Sequence, residues 1–129
     1  MKIEHIAIWV RNLEKMRIFY EKYFGVKSNK IYFNKDRNFS SYFLTFEGTT
    51  RLELMQRSLI PKSLNNPYTQ HIGLIHLAIS VGSEDKVISL TNRLAGDGYE
   101  VLDEPRYTGD GYFESIVLDP EKNRIEITV

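Results

Sequence analysis

The second half of this chain repeats the pattern of the first half, and this repeat constrains the fold more than any other feature. The segments Ile3–Val10 and Leu74–Val81 share a histidine followed by an aliphatic residue, alanine and isoleucine. A helical pattern follows each copy, and each half ends in arginine-aliphatic-glutamate-aliphatic, at Arg51–Leu54 and Arg124–Ile127. Because self-similarity of this kind marks repeated supersecondary units, we expect two similar modules.

Helix signals follow the first strand of each half. Asn12 and Ser83 are favourable N-cap residues, and each precedes a run of apolar residues at helical spacing. Gly25 ends the first run, and Gly96–Gly98 ends the second. Both halves then have room for two more strands before the last one. We place these strands at residues 30–34, 40–46, 100–104 and 112–118.

Each half therefore reads as β-α-β-β-β. This pattern predicts an α+β fold of two tandem modules, whose curved mixed sheets surround a central cleft. We expect one domain over residues 1–129, with module one at 1–56 and module two at 74–129. The linker between them, 57–73, contains prolines and asparagines that oppose regular structure.

The composition excludes several classes of function. The chain has no cysteine, so a metal ion would have to be bound by nitrogen and oxygen ligands. Basic and acidic residues balance at 17 each, which argues against a nucleic-acid surface and against docking to an anionic membrane. No apolar stretch is long enough for a signal peptide or a membrane-spanning helix. We therefore expect a cytoplasmic protein that acts on a small molecule.

Strand alternation places one histidine and one glutamate of each half on the same side of the sheet. In every strand concerned, the aliphatic neighbours form the opposite, helix-facing side. The four residues, His5, Glu53, His76 and Glu126, would then point into the cleft. Two neutral imidazoles and two carboxylates suit one divalent ion such as Zn, Ni, Co or Mn, with positions left open for water or substrate.

An ordinary structural interpretation competes with this one. A single histidine on a strand is usually a satisfied or exposed residue, and a single glutamate in an apolar strand usually faces solvent. The pairing favours the metal site, because two of the three histidines occupy the same place in both repeats, as do the two glutamates. His71 lies in the linker without a counterpart, and we interpret it as an ordinary polar residue.

These motifs resemble the vicinal oxygen chelate superfamily, the glyoxalase/bleomycin resistance protein family, over essentially the whole chain. The set of two histidines and two glutamates is most similar to that of glyoxalase I. The positions that match the family pattern are His5, Phe19–Tyr20, Phe24–Gly25, Asp119–Pro120 and Ile125–Glu126.

The resemblance implies a metal-dependent lyase or isomerase, similar to lactoylglutathione lyase, that moves a proton next to a carbonyl in a small hydroxycarbonyl or thiohemiacetal. Glu126 would be the residue that transfers the proton, with Glu53 as the second candidate. His5 and His76 would be fixed metal ligands. Glutathione-dependent glyoxalases typically have an arginine where this chain has Trp9, which argues against glutathione as the cosubstrate.

Further expectations concern the substrate and the assembly. Two other functions stay open: a non-catalytic protein that binds an antibiotic or another aromatic molecule, and an acyl-CoA epimerase. The family resemblance also implies a homodimer. The candidates for lining the substrate pocket, chosen from strand alternation or from their place at the 107–112 loop, are Trp9, Tyr42, Phe43, Met55, Tyr107 and Tyr112.

Overall fold

The computed structural model describes all 129 residues and divides into two compact units, Met1–Ser63 and Leu64–Val129. Unit one contains β1 (His5–Trp9), α1 (Leu13–Phe24), β2 (Lys27–Ser28), β3 (Tyr32–Asn34), β4 (Phe39–Thr45) and β5 (Arg51–Arg57). Unit two contains β6 (His76–Ser80), α2 (Glu84–Gly96), β7 (Val101–Tyr107), β8 (Phe113–Leu118) and β9 (Arg124–Thr128). Neither helix is long and apolar enough to serve as a transmembrane span.

The two sheets share one strand order, and the first has an additional strand. In unit one the strand order is β1-β5-β4-β2, and β3 pairs with the other end of β4. In unit two the order is β6-β9-β8-β7. The first and last strands of each unit are parallel neighbours, β1 with β5 and β6 with β9, and the remaining pairs are antiparallel.

Helix α1 covers one face of the first sheet, where it packs on β4 and β5. The Asn12 side chain accepts a hydrogen bond from the Lys15 backbone N–H at 2.9 Å, which satisfies a free amide of the first turn. Gly25 ends the helix in the left-handed conformation, with φ 65°. Each large side chain buried by the helix contributes roughly 1.5–3 kcal/mol relative to an exposed position. They are Leu13, Met16, Phe19, Tyr20 and Tyr23.

Helix α2 covers the corresponding face of the second sheet. Ser83 is its N-cap and accepts from the Lys86 N–H at 3.3 Å. The buried Thr91 hydroxyl lies 2.7 Å from the Ser115 hydroxyl of β8 and donates to the Val87 carbonyl at 2.7 Å. This polar contact crosses an otherwise apolar layer, and both hydroxyls are paired, so neither carries the cost of an unsatisfied buried group.

The expected α+β fold of two repeated modules is confirmed, and the differences are local. The predicted strand at 30–34 is shorter, at Tyr32–Asn34, and an extra strand of two residues, Lys27–Ser28, precedes it. The predicted strand at 100–104 extends to Tyr107 in spite of Pro105. β7 tolerates this proline because it is an edge strand whose pairing with β8 is interrupted by register shifts.

Candidate functional site

His5 and Glu53 meet on the face of the first sheet that α1 does not cover. Because β1 and β5 are parallel neighbours, Ala7 is the register partner of Glu53. His5 lies two residues before Ala7, on the same face of β1. The His5 Nε2 atom is 3.8 Å from a Glu53 carboxylate oxygen. Burial alternates along both strands, with Leu52 and Leu54 in the core and Glu53 between them facing away from it.

A second carboxylate, Glu4, contacts the other ring nitrogen of His5. Glu4 also pairs with Arg51, and the contacts with His5 and then Arg51 hold the pKa of the Glu4 carboxyl below its ordinary value. A histidine that donates Nδ1–H to a carboxylate keeps Nε2 free as a metal ligand. The ring of Phe43 fixes the imidazole further, edge to face at 5.3 Å. Glu4 was missed by the sequence reasoning, although its place directly before the histidine was a usable signal.

His76 and Glu126 form the corresponding pair in unit two. Ala78 is the register partner of Glu126, as Ala7 is of Glu53. The His76 Nε2 atom is 3.3 Å from a Glu126 carboxylate oxygen. The residue before His76 is Ile75, so this histidine has no counterpart of Glu4.

The last strand of unit two is positioned by a tight turn. Asp119 is 2% exposed, and its carboxylate accepts the backbone N–H groups of Glu121 and Asn123 at 2.8 and 2.9 Å. It also accepts the Asn123 side-chain amide at 2.8 Å. These hydrogen bonds stabilise one conformation of the Asp119–Pro120 turn. Strand β9, which carries Glu126, starts directly after this turn.

Glu114 of β8 is a further carboxylate in unit two that the sequence reasoning missed. Its neighbour Ser115 faces the helix, so alternation turns Glu114 to the side of Glu126. Burial, and next the charge of Glu126, raise the pKa of the Glu114 carboxyl above its ordinary value of 4.5. The sequence signal that could have identified Glu114 was its position as a glutamate inside the apolar strand predicted at 112–118.

The donor set fits a divalent metal ion in its chemistry. Imidazole nitrogen and carboxylate oxygen are the ligands that Zn, Ni, Co and Mn take in proteins without thiolates. Both carboxylates are mostly covered, at 14% exposure for Glu53 and 16% for Glu126, while the two imidazoles are more open. Each unit supplies one such pair, and neither unit by itself holds a group of three or more ligating side chains.

The six pocket candidates divide into two groups. Trp9, Phe43 and Met55 lie on the same face as His5 and Glu53. Tyr42 does not, because alternation along β4 turns it toward α1, where it is 8% exposed and its hydroxyl donates to Glu14 at 2.5 Å.

The other two candidates lie at the end of a hairpin in unit two. Tyr107 lies against the start of α2, where its hydroxyl donates to Glu84, and its ring contacts Phe113 at 4.9 Å. Phe113 shares the alternation of the helix-facing Ser115, so Tyr107 is on the helix side and away from Glu126. Tyr112 is an exposed residue at the turn before β8.

Comparison with known proteins identifies the family. The family model described as "Glyoxalase/Bleomycin resistance protein/Dioxygenase superfamily" matches residues 2–127. The chain belongs to this superfamily. The resemblance drawn from the sequence motifs is thereby confirmed. Members of the superfamily commonly bind a divalent metal ion.

Individual relatives agree with this assignment. The uncharacterized protein YqjT of Bacillus subtilis is 28% identical over a region that covers 97% of this chain and 96% of YqjT. The glyoxylase/bleomycin resistance protein/dioxygenase domain from Frankia sp. EAN1pec superposes with a TM-score of 0.82 at 19% identity, over 100% of this chain and 97% of that one.

Glyoxalase I from Zea mays superposes with a TM-score of 0.76 at 20% identity, over 98% of this chain. This chain spans only 44% of the length of the maize protein. At these identities the structural likenesses to the maize and Frankia proteins show a shared fold and carry no information about a shared activity.

Proposed function

We propose that the chain is a divalent-metal-dependent lyase or isomerase of glyoxalase I type, which moves a proton next to a carbonyl in a small hydroxycarbonyl or thiohemiacetal. The observation that carries the proposal is the repetition of one histidine-glutamate pair at the same strand register in both units. Recurrence of the same two residue types on the face opposite the helix supports a shared task for the two pairs. The membership of the superfamily supports the same chemistry.

His5, Glu53, His76 and Glu126 are the proposed metal ligands. A bound divalent ion supplies Lewis-acid polarisation of a carbonyl oxygen, which makes the neighbouring C–H more acidic. The role of His5 is fixed coordination, because Glu4 and Phe43 restrain its ring.

Glu126 is the proposed base that takes the proton from carbon and returns it to the adjacent carbon. Glu114 stands on the same face of unit two, and its raised pKa makes it a second group there that can hold a proton. Unit one has Ser41 at the register position that corresponds to Glu114, so Glu53 has no carboxylate at that place. A positioned base of this kind contributes on the order of 10²–10⁴-fold to the rate.

Metal analysis combined with turnover tests the proposal. The purified protein should contain a stoichiometric divalent metal by mass spectrometry, and it should convert methylglyoxal in the presence of a suitable thiol from a panel. Trp9 occupies the position of the glutathione-binding arginine, so we expect a thiol other than glutathione to be preferred. Chelation should abolish turnover, and one added metal should restore it. A protein that binds no divalent metal and is inert with every thiol would contradict the proposal.

A second candidate function is non-catalytic binding of an aromatic molecule. The observation that favours it is Trp9, which is 42% exposed on the same face as His5 and Glu53. Binding that is unaffected both by chelator and by Glu126→Gln, in a protein without turnover, would support this function over catalysis.

The location and assembly belong to the same proposal. We propose a homodimer, as the family resemblance implies, and we propose the cytoplasmic location expected from the sequence. β1 and β6 are edge strands of their sheets, and edge strands have backbone groups available for pairing. Sedimentation equilibrium of the purified protein measures the assembly directly.

A further inference from the structure

Unit one carries an exposed group of aromatic rings on the face that holds His5 and Glu53. The ring of Trp9 on β1 lies 6.0 Å from that of Phe39 on β4, and Phe39 lies 6.1 Å from Tyr32 on β3. Trp9 is 42% exposed and Tyr32 is 53% exposed. We call Trp9, Phe39 and Tyr32, together with Arg57, the aromatic shelf.

Strand register explains why these rings are neighbours. Trp9, Met55, Ser41 and Tyr32 lie side by side on four adjacent strands, a row of three strand spacings, or about 14 Å. Phe39 stands in the next row and bridges the two outer rings. The row of Glu53 lies on the other side, about 7 Å along β5 from Met55. A ligand on the aromatic shelf can therefore extend toward Glu53 without leaving the sheet.

The one charged member of the aromatic shelf is a cation without an acidic partner. The Arg57 guanidinium lies 5.7 Å from the centre of the Trp9 ring, and Arg57 is the register partner of Phe39. It forms no ion pair, whereas Arg51 on the same strand pairs with Glu4. A guanidinium held against an aromatic ring keeps its N–H donors directed outward and binds a carboxylate through two parallel hydrogen bonds.

We propose that the aromatic shelf binds an aromatic carboxylate, with the ring of the ligand against Trp9 and Phe39 and its carboxylate on Arg57. Flat rings match the exposed aromatic faces, and the unpaired cation selects a negative charge. The inference rests on the proposed function for the reaction itself and adds the substrate class: an aryl compound with an anionic group at one end and the reactive carbonyl toward Glu53.

Binding to the metal-free protein tests the proposal without any turnover. Trp9 is the only tryptophan of the chain, so tryptophan fluorescence reports on the aromatic shelf alone. The probe is benzoate, titrated in the presence of chelator. Cyclohexanecarboxylate, which has the charge without the aromatic ring, and benzamide, which has the ring without the charge, are the matched probes. We expect saturable binding of benzoate and about tenfold weaker binding of each of the other two.

Substitutions assign the contacts. Arg57→Ala should weaken benzoate binding by about tenfold and leave benzamide unchanged, and Arg57→Lys should restore part of the loss. Phe39→Leu should weaken both aromatic probes. Arg93→Ala on α2 removes the same charge from unit two and should change neither. Benzamide binding by the Arg57 variants serves as the internal control for folding.

Three outcomes would overturn the proposal. Benzoate and cyclohexanecarboxylate binding equally would remove the role of the rings, and benzoate binding unchanged by Arg57→Ala would remove the role of the cation. Tryptophan emission that varies with protein concentration and not with benzoate would show that the aromatic shelf is covered by a second copy of the chain.

The failure of this proposal and the failure of the proposed function are distinguishable. Absence of benzoate binding beside intact metal-dependent turnover rejects the binding role of the aromatic shelf only. Benzoate binding without metal-dependent turnover rejects the proposed function only.

Discussion

In unit one the histidine of the repeated histidine-glutamate pair lies between two carboxylates. In unit two the histidine of the pair contacts one carboxylate. His5 meets Glu4 through one ring nitrogen and faces Glu53 with the other, and Arg51 balances the added negative charge. His76 contacts Glu126, and its charge also acts on Glu114. The corresponding arginine of unit two, Arg124, donates instead to the Pro67 carbonyl at 2.7 Å.

The residues around the two glutamates of the pairs, Glu53 and Glu126, also differ. Arg51 and Arg124 lie at the same register position in the two units, two residues before the glutamate. The difference is at the next position, where unit two has the carboxylate of Glu114 and unit one has Ser41. Two repeats with one backbone register thus differ in the carboxylates that surround the histidine-glutamate pair. The comparison leads us to assign rigid coordination to unit one and proton transfer to unit two.

Neutralising Glu126 and Glu53 in turn is the strongest test of this assignment of roles to the two units. Glu126→Gln should lower kcat by about 10²–10⁴-fold, because an amide cannot accept the proton. Glu53→Gln should mainly weaken metal binding and lower kcat less once metal is saturating. Steady-state kinetics at several metal concentrations separates the two effects. Equal losses of kcat in both variants would mean that the two carboxylates share the proton transfer.

Removing the extra carboxylate of unit one should have the next largest effect. Glu4→Gln leaves His5 without its charged partner, and the loss of such a partner typically lowers metal affinity by about 10–100-fold. Competition with a chelator of known affinity measures the change. Glu47→Gln, in the turn before β5, removes the same charge from the same unit and is the control. Unchanged metal affinity in Glu4→Gln would show that His5 needs no orienting group.

The smallest effect concerns Glu114 and the pH dependence of stability. Its pKa is raised in the folded chain, so the native state binds this proton more tightly than the unfolded state. The free energy of unfolding should therefore fall as the pH rises from about 4.5 through the raised pKa. Glu114→Gln should flatten this decrease and stabilise the chain at neutral pH, because the amide carries no charge to be buried.

Urea unfolding of both proteins in chelator, across the pH range, measures this difference. The groups that act on Glu114 besides Glu126 are Arg106, Asp110 and His76, and they are unchanged in the variant. If the free energy of unfolding of the variant has the same pH dependence as that of the parent chain, a group other than Glu114 causes this dependence.

The repeat made most of the fold predictable. Asn12, Gly25 and Ser83 act as the helix caps that their residue types indicate, and the alternation of burial on β1, β5, β6 and β9 follows the apolar pattern. Local chemistry decides these features, so they can be read from neighbouring residues. The extra strand β2 was not predictable, because two residues carry too little pattern.

Two of the predicted pocket residues, Tyr42 and Tyr107, lie on the helix side of their sheets and not on the side of the histidine-glutamate pairs. Tyr42 was grouped with Phe43, yet adjacent strand residues face opposite sides, and the hydrogen bond to Glu14 secures Tyr42 to the helix. Tyr107 is similarly drawn to Glu84 at the start of α2. Both hydroxyls find partners far away in the sequence, which no local pattern reports.

The sequence by itself determined the two modules and the two histidine-glutamate pairs, because these follow from periodicity and repetition along the chain. The family was identified from the resemblance of its motifs, and the family model confirms it. The tertiary structure decided what surrounds each pair. Glu4 reaches His5 and Arg51, Glu114 faces the side of Glu126, and Arg57 lies against Trp9. These contacts depend on strand order and register, which bring together residues that are distant in the chain, and this is why identical motifs acquired different electrostatic surroundings.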